Sequence, residues 1–244
     1  MNTTQTLEQM RDLKLSGMVQ AYQSQLELSI NHQLEGHELI AHLLQSEKLN
    51  RSNARLATLL QAAKLRYYAQ PESIECSVAR NLTKAQWSTL LEGTFIQQGE
   101  NILITGATGC GKSMIGCALG YQACMLGIKT RYFNMNRLIE AIAMSKTEGS
   151  YLKFLNHLEK IPLIILDDFG LQSLNKNMKL ALLQIIEDRY DKKSLIVTSQ
   201  LPVASWHEYL DEPTLADAIL DRMTAKSHRL ELKGESRRKK KQFA

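Results

Sequence analysis

Eight residues, Gly106-Ala107-Thr108-Gly109-Cys110-Gly111-Lys112-Ser113, satisfy the pattern GxxxxGK(S/T) directly after the apolar run Asn101 to Thr105 and before a helical pattern. In that context the three glycines let the backbone turn so that successive N–H groups face inward, and the following helix adds the positive end of its dipole. The loop is a phosphate cradle, with Met114 next to it on the helix; Lys112 reaches the terminal phosphates and Ser113 offers a hydroxyl to Mg2+, which prefers hard oxygen ligands. The nucleotide expected is ATP. A second apolar run, residues 162–170 (PLIILDDFG), ends in two carboxylates. Asp167 is placed to hold Mg2+ through water, while Asp168 is expected to point a different way and polarise an attacking water. Asp168 is one methylene shorter than the Glu more usual for that task. A third run, residues 194–202 (SLIVTSQLP), is expected beside the phosphate loop, bringing Thr198, Ser199 or Gln200 within reach of the γ-phosphate or the water.

These residues need a particular frame. From about residue 98 short apolar runs (NILIT, KTRYF, PLIILD, SLIVTS, HRLEL) alternate with helical stretches such as Met114 to Leu126, Arg137 to Ala143 and Lys176 to Tyr190. Five strands in such alternation imply a mostly parallel sheet covered on both faces. Residues 1–70 instead show Leu, Ile, Met and Ala at three- and four-residue intervals, as in Leu39, Ile40, Leu43, Leu44 and Leu56, Leu59, Leu60, Ala63. They are expected to form a small helical domain, with breaks near Ser29 to Asn31 and Ser52 to Asn53. A connector over 71–97, a core over 98–233 and a basic tail over 234–244 complete the expected organisation.

The composition narrows the class. With 244 residues, 44% of them hydrophobic and 23% charged, the chain has ample sequence for a core without disulfides or a structural metal. Cys76, Cys110, Cys117 and Cys124 show no CxxC pair and read as reduced thiols. The start of the chain lacks a secretory pattern and the longest apolar stretch, IPLIIL, is far short of a membrane span, so a cytoplasmic location is expected. The net charge of +5 is concentrated at the end, where residues 226–244 hold eight basic against two acidic side chains. Such a run is either a solvated tail or a contact for a polyanion. The stretch with Lys48, Arg51, Arg55, Lys64 and Arg66 beside Tyr67 and Tyr68 is likewise either a solvated helix face or a nucleic-acid surface.

Taken together, GATGCGKS, ILDDFG, VTSQLP, WHEYL, DEPTLADAILDR and HRLELKGESRRK, with LKLSGMVQAYQSQL and NARLATLLQAAKLR upstream, resemble the IstB-type helper ATPases of bacterial insertion sequences. Those proteins are of the AAA+ class and similar to DnaC helicase loaders and, more distantly, the DnaA initiator. The resemblance covers nearly the whole chain. It implies an α/β fold, a P-loop NTPase AAA+ core with a five-stranded parallel sheet, preceded by a small helical N-terminal domain. It also implies that Arg222 is an arginine finger completing a neighbouring subunit's site in a homo-oligomer, and that Arg238, or its neighbour Arg237, is a second phosphate sensor. The region from Asn134 to Leu155, with Arg137, Lys146 and Lys153, is implied to face nucleic acid. The function that follows is ATP-dependent binding of duplex DNA with low sequence specificity, in aid of the transposase of the same insertion sequence, with hydrolysis dissolving the assembly. A loader of a helicase on single-stranded DNA and a non-hydrolysing nucleotide switch are the alternatives; a small-molecule kinase is disfavoured by the paired carboxylates.

Overall fold

The computed structural model describes residues 2–29 and 32–234, and the chain falls into two compact units divided between Thr58 and Leu59. In the first unit α1 (Thr3–Asp12) and α2 (Ser16–Glu27) are separated at Lys14, whose φ of 57° ends the first helix. A capping box opens α1: the Asn2 side chain accepts from Gln5 N, and Gln5 Oε1 accepts from Asn2 N. Helix α2 has no side-chain cap of its own. Glu47, on α3 (Gly36–Ala63), provides one by accepting the N–H groups of Gly17 and Met18 at 2.7 and 3.2 Å. The absence of a side chain at Gly17 allows this approach, since a Cβ there would lie 2.6 Å from Ser46 O and 2.8 Å from Glu47 Cα.

The expected break at Ser52 to Asn53 is absent, and α3 runs unbroken for 28 residues. Two exposed residues of middling propensity cost less than about 1 kcal/mol each, too little to stop a helix whose turns are bonded on both sides. The division between units lies before residue 70, and the segment 71–97 is more than a connector. It holds two 3-10 turns, Pro71–Ser73 and Val78–Arg80, then α4 (Lys84–Leu91) and α5 (Thr94–Gln97). Its Trp87, Leu90, Phe95 and Ile96 are buried in the same cluster as Ile102, Ile104 and Ile115.

Five parallel strands, β1 (Asn101–Gly106), β2 (Thr130–Asn134), β3 (Leu163–Phe169), β4 (Ser194–Ser199) and β5 (Ser227–Leu232), lie in the order β2-β3-β4-β1-β5. Their alternate side chains feed two cores. Leu103, Leu166 and Val197 face α7 (Met135–Thr147), α8 (Tyr151–Glu159), α9 (Lys176–Arg189), α10 (Trp206–Leu210) and α11 (Pro213–Thr224). Ile102, Ile104, Ile165 and Ile196 face α6 (Lys112–Met125) and the 65–97 segment. Two helices, α7 and α8, stand between β2 and β3; Gly149, at φ 69°, separates them. Arg189, fully buried, donates to the carbonyls of Leu158, Ile161, Pro162 and Ser194 and ties the ends that lead into β3 and β4. Among the described residues no helix is long and apolar enough to cross a membrane, and the four cysteines are free thiols, three of them buried.

Candidate functional site

The site lies at the carboxyl ends of the strands, the usual ligand crevice of an open parallel sheet. Because Thr105 is in register with Ser199 and Gly106 with Leu232, the loop leaving β1 is flanked by the ends of β4 and β5. Gly106, Gly109 and Gly111 take φ of 145°, 82° and 100°, a region that favours glycine. At Gly106 a Cβ would also meet Leu232 O at 2.5 Å. The backbone then enters α6 with no side-chain cap, so its first N–H groups are available to an anion. Ala107 and Thr108 are exposed at the crest of the loop and Cys110 is buried beneath it. Lys112 is buried and its Nζ donates to Gly106 O and Ala107 O at 2.8 and 2.9 Å, lying across the cradle. Arg80, which the sequence reading did not single out, braces the loop from below by donating to Cys110 O at 2.9 Å.

Asp167 is fully buried, and each of its oxygens has two partners. Thr198 Oγ1 donates to Oδ1, and so does Ser113, at 2.7 Å; Tyr132 donates to Oδ2 at 2.6 Å and Arg66 Nη1 lies 3.3 Å from the same atom. Burial, reinforced by the adjacent carboxylate, pushes the Tyr132 phenol well above its ordinary range, so it remains a donor. Asp168 departs from ordinary strand geometry. Its φ is 65°, and the pairing of β3 with β4 shifts register between Leu166 and Phe169. Adjacent strand residues normally point to opposite faces. Here the irregularity brings both carboxylates to one guanidinium: Asp168 Oδ2 also lies 3.3 Å from Arg66 Nη1 and accepts from Asn134 Nδ2 at 2.8 Å. The expected divergence of the two acids is corrected in this respect. A Ser hydroxyl joined to a carboxylate is a hard-oxygen donor pair that fits Mg2+ carrying waters and phosphate oxygens. Among the described residues no group of three or more His, Cys, Asp or Glu could hold a metal without such a ligand.

The end of β4 resolves the three candidates by where their side chains go. Gln200 Oε1 accepts from Thr108 Oγ1 at 2.7 Å and so sits against the phosphate loop. Thr198 lies behind the acids, accepting the Asp168 N–H at 3.2 Å. Ser199 is turned away: it is buried, donates to Phe169 O at 2.6 Å and accepts the Leu201 N–H at 3.0 Å, so it positions the strand ends instead of facing the loop.

Arg222 is elsewhere in the chain. The Arg222 and Met223 carbonyls accept from Asn101, which opens β1, so this part of α11 lies at the amino end of β1, whereas the phosphate loop leaves its carboxyl end. Its guanidinium is paired with Glu187, not with the Asp217, Asp221 or Glu231 that sequence proximity suggests. Arg237 and Arg238 lie outside the described residues. In the 134–155 region Arg137 pairs with Glu140 at 3.2 Å, and Lys146 stands 4.9 Å from the Tyr151 ring centroid.

The phosphate loop followed by two acids on a sheet ordered β2-β3-β4-β1-β5 restricts the relatives this chain can have. A family described as IstB-like ATP binding protein matches residues 8–244. The chain belongs to that family. Within the same group, two putative insertion sequence ATP-binding proteins of Sinorhizobium fredii are 39% and 41% identical, the alignments covering 96% and 98% of this chain and 96% of each relative. An insertion sequence IS1162 putative ATP-binding protein of Pseudomonas fluorescens is 39% identical over 83% of this chain and 88% of its own length. Among solved structures, the DnaC helicase loader superposes with a TM-score of 0.57 at 22% identity, covering 70% of this chain and all of that one. The replication initiator DnaA, bound to AMPPCP and single-stranded DNA, gives 0.58 at 19% identity over 70% of this chain and 52% of that one. At such identities these two likenesses speak for the fold of the matched part alone.

Proposed function

We propose that this chain is an ATP-hydrolysing, DNA-binding protein that assembles on target DNA as a homo-oligomer and assists the transposase of an insertion sequence. The observation that carries the reading is the joining of two motifs by one short bond: Ser113 of the phosphate loop donates to Asp167 at the end of β3. In this arrangement the loop N–H groups, Lys112 and the amino end of α6 would hold the triphosphate. Ser113 and Asp167 would hold Mg2+, which when bound neutralises charge on the β- and γ-phosphates. Asp168 would orient and polarise the attacking water, and Gln200, already against Thr108, would contact the γ-phosphate.

The opposite placement of Arg222 supports assembly as part of the reading. An arginine at the amino end of β1 cannot reach the loop at the carboxyl end in its own chain, but it can complete the site of a neighbouring copy once Glu187 releases it. Nucleotide then adds interface contacts only in the triphosphate state, so ATP favours the assembled form and turnover dissolves it. DNA contact through phosphates, with basic groups such as Arg137 and Lys153 contributing, gives low sequence specificity and strong salt dependence.

A second reading is favoured by one observation: Asp168 is short and its Oδ2 is engaged by Asn134 and Arg66. On that reading the chain is a nucleotide switch without turnover. Phosphate release, measured with and without duplex or single-stranded DNA, separates the two. DNA-stimulated release lost in Asp168→Asn supports the first; no release under any condition supports the second. Stronger binding and stimulation by single strands would favour helicase loading over transposition.

A further inference from the structure

Arg66, at the end of the 48–66 stretch, reaches the two acids, and its backbone is held in place to do so. It lies just beyond α3, between Leu65, which packs toward Gly120 of α6, and a segment anchored by the buried Ala69. At Gly120 a Cβ would stand 2.9 Å from Leu65 Cδ2 and 2.6 Å from Ile165 Cδ1, so the missing side chain lets this segment close on the phosphate-loop helix. Arg131 fixes the preceding turn by donating to Ala62 O at 2.8 Å. The guanidinium stands 5.2 Å from the Tyr67 ring centroid.

The contacts of Arg66 differ in kind from their neighbours. Its single Nη1 stands 3.3 Å from both Asp167 Oδ2 and Asp168 Oδ2, whereas the neutral donors Tyr132 and Asn134 hold the same two oxygens at 2.6 and 2.8 Å. Its side chain is 40% exposed, while Asp167 is fully buried. The guanidinium can therefore withdraw into water while the shorter bonds keep both carboxylates in place. A dication held by Ser113 and Asp167 repels it and competes for the same negative charge.

We propose that Arg66 is a positioning residue that acts as an internal counter-cation, competing with Mg2+ for the Asp167 and Asp168 pair and so setting the magnesium concentration at which nucleotide is held. The proposal rests on the nucleotide reading above. It makes Arg66 antagonistic to magnesium and independent of whether the chain hydrolyses ATP.

The test is a magnesium titration of fluorescent ATP-analogue binding to the full chain, comparing the parent with Arg66→Gln and Arg66→Lys. Removing the charge is expected to lower the magnesium midpoint roughly fivefold, the scale of a partly exposed ion pair, and more at low ionic strength. Arg66→Lys is expected to stay within about twofold of the parent because the charge remains. A midpoint for Arg66→Gln that is unchanged or raised overturns the proposal. Failure of the parent to bind nucleotide at any magnesium concentration overturns the nucleotide reading and this proposal with it, whereas binding by the parent with no shift in the variant overturns this one alone. Should Arg66→Gln not fold, the parent gives a second readout: the Arg66 Nε–H resonance is expected to move when Mg2+ joins the nucleotide, and a resonance that stays put overturns the proposal.

Discussion

Asp168 owes its place to a backbone conformation that few residues other than glycine adopt. With φ at 65° and the register of β3 slipping beside it, its carboxylate joins Asp167 near Arg66 instead of facing away. The side chain is thereby held at the mouth of the phosphate crevice by Asn134 while Thr198 holds its N–H. Asp168→Asn preserves shape and removes the basic oxygen. Phosphate release is expected to fall by about 10²-fold or more with nucleotide affinity nearly unchanged. A parallel loss of affinity would place Asp168 in binding instead. The type and spacing of Lys112, Ser113 and Asp167 were legible in the sequence because a phosphate loop is a local pattern that needs only a strand before it and a helix after it. Arg66 was not, since its partners lie 101 and 102 residues away and nothing in a Lys- and Arg-rich helix face says which cation will meet them.

Among the elements, two pieces of secondary structure are stabilised by charges borrowed from a neighbour. Glu47 caps α2 from α3, and the bond from Arg51, joined by the N–H groups of Gly17 and Met18, holds its carboxyl below the ordinary 4.5. A depressed carboxyl contributes stability that is present above the ordinary value and lost as pH falls through the folded one. Glu47→Gln is therefore expected to melt below the parent at pH 7 and to approach it as the pH falls below the ordinary 4.5, as followed by circular dichroism; equal melting at pH 7 would mean that the cap adds nothing. Arg189 is the second case. Burial alone pushes it down to about 9, and its four carbonyl acceptors oppose that by favouring the charged form. Arg189→Met removes a donor from all four, although Leu158 O and Pro162 O each keep a backbone N–H, and is expected to cost about 1–3 kcal/mol, measured by denaturant unfolding. The strands were legible because Val, Leu and Ile runs have few other uses in an α/β chain. The continuity of α3 and the buried role of α4 and α5 were not, because both depend on packing partners that no local pattern names.

For the whole molecule, the proposed function requires two copies to make one working site. Lys112 and Arg222 lie at opposite ends of β1, so neither substitution need damage the other's half of an interface. Lys112→Ala and Arg222→Ala are each expected to abolish DNA-stimulated phosphate release alone. A mixture of the two is expected to recover part of it, through junctions that retain a parent loop and a parent arginine; a mixture as inactive as its components would contradict action between copies. The basic residues at the chain's end raise the expected affinity for polyanions, and DNA binding should weaken steeply as salt is raised. The central claim is that nucleotide controls assembly on DNA. Its most direct measurement is binding of the full chain to fluorescent duplex and single-stranded DNA of equal length with ATP, ADP or no nucleotide, alongside Lys112→Ala. Binding to duplex that requires ATP and disappears in the variant is the expected result; binding indifferent to nucleotide, or no binding to either DNA, would contradict the account.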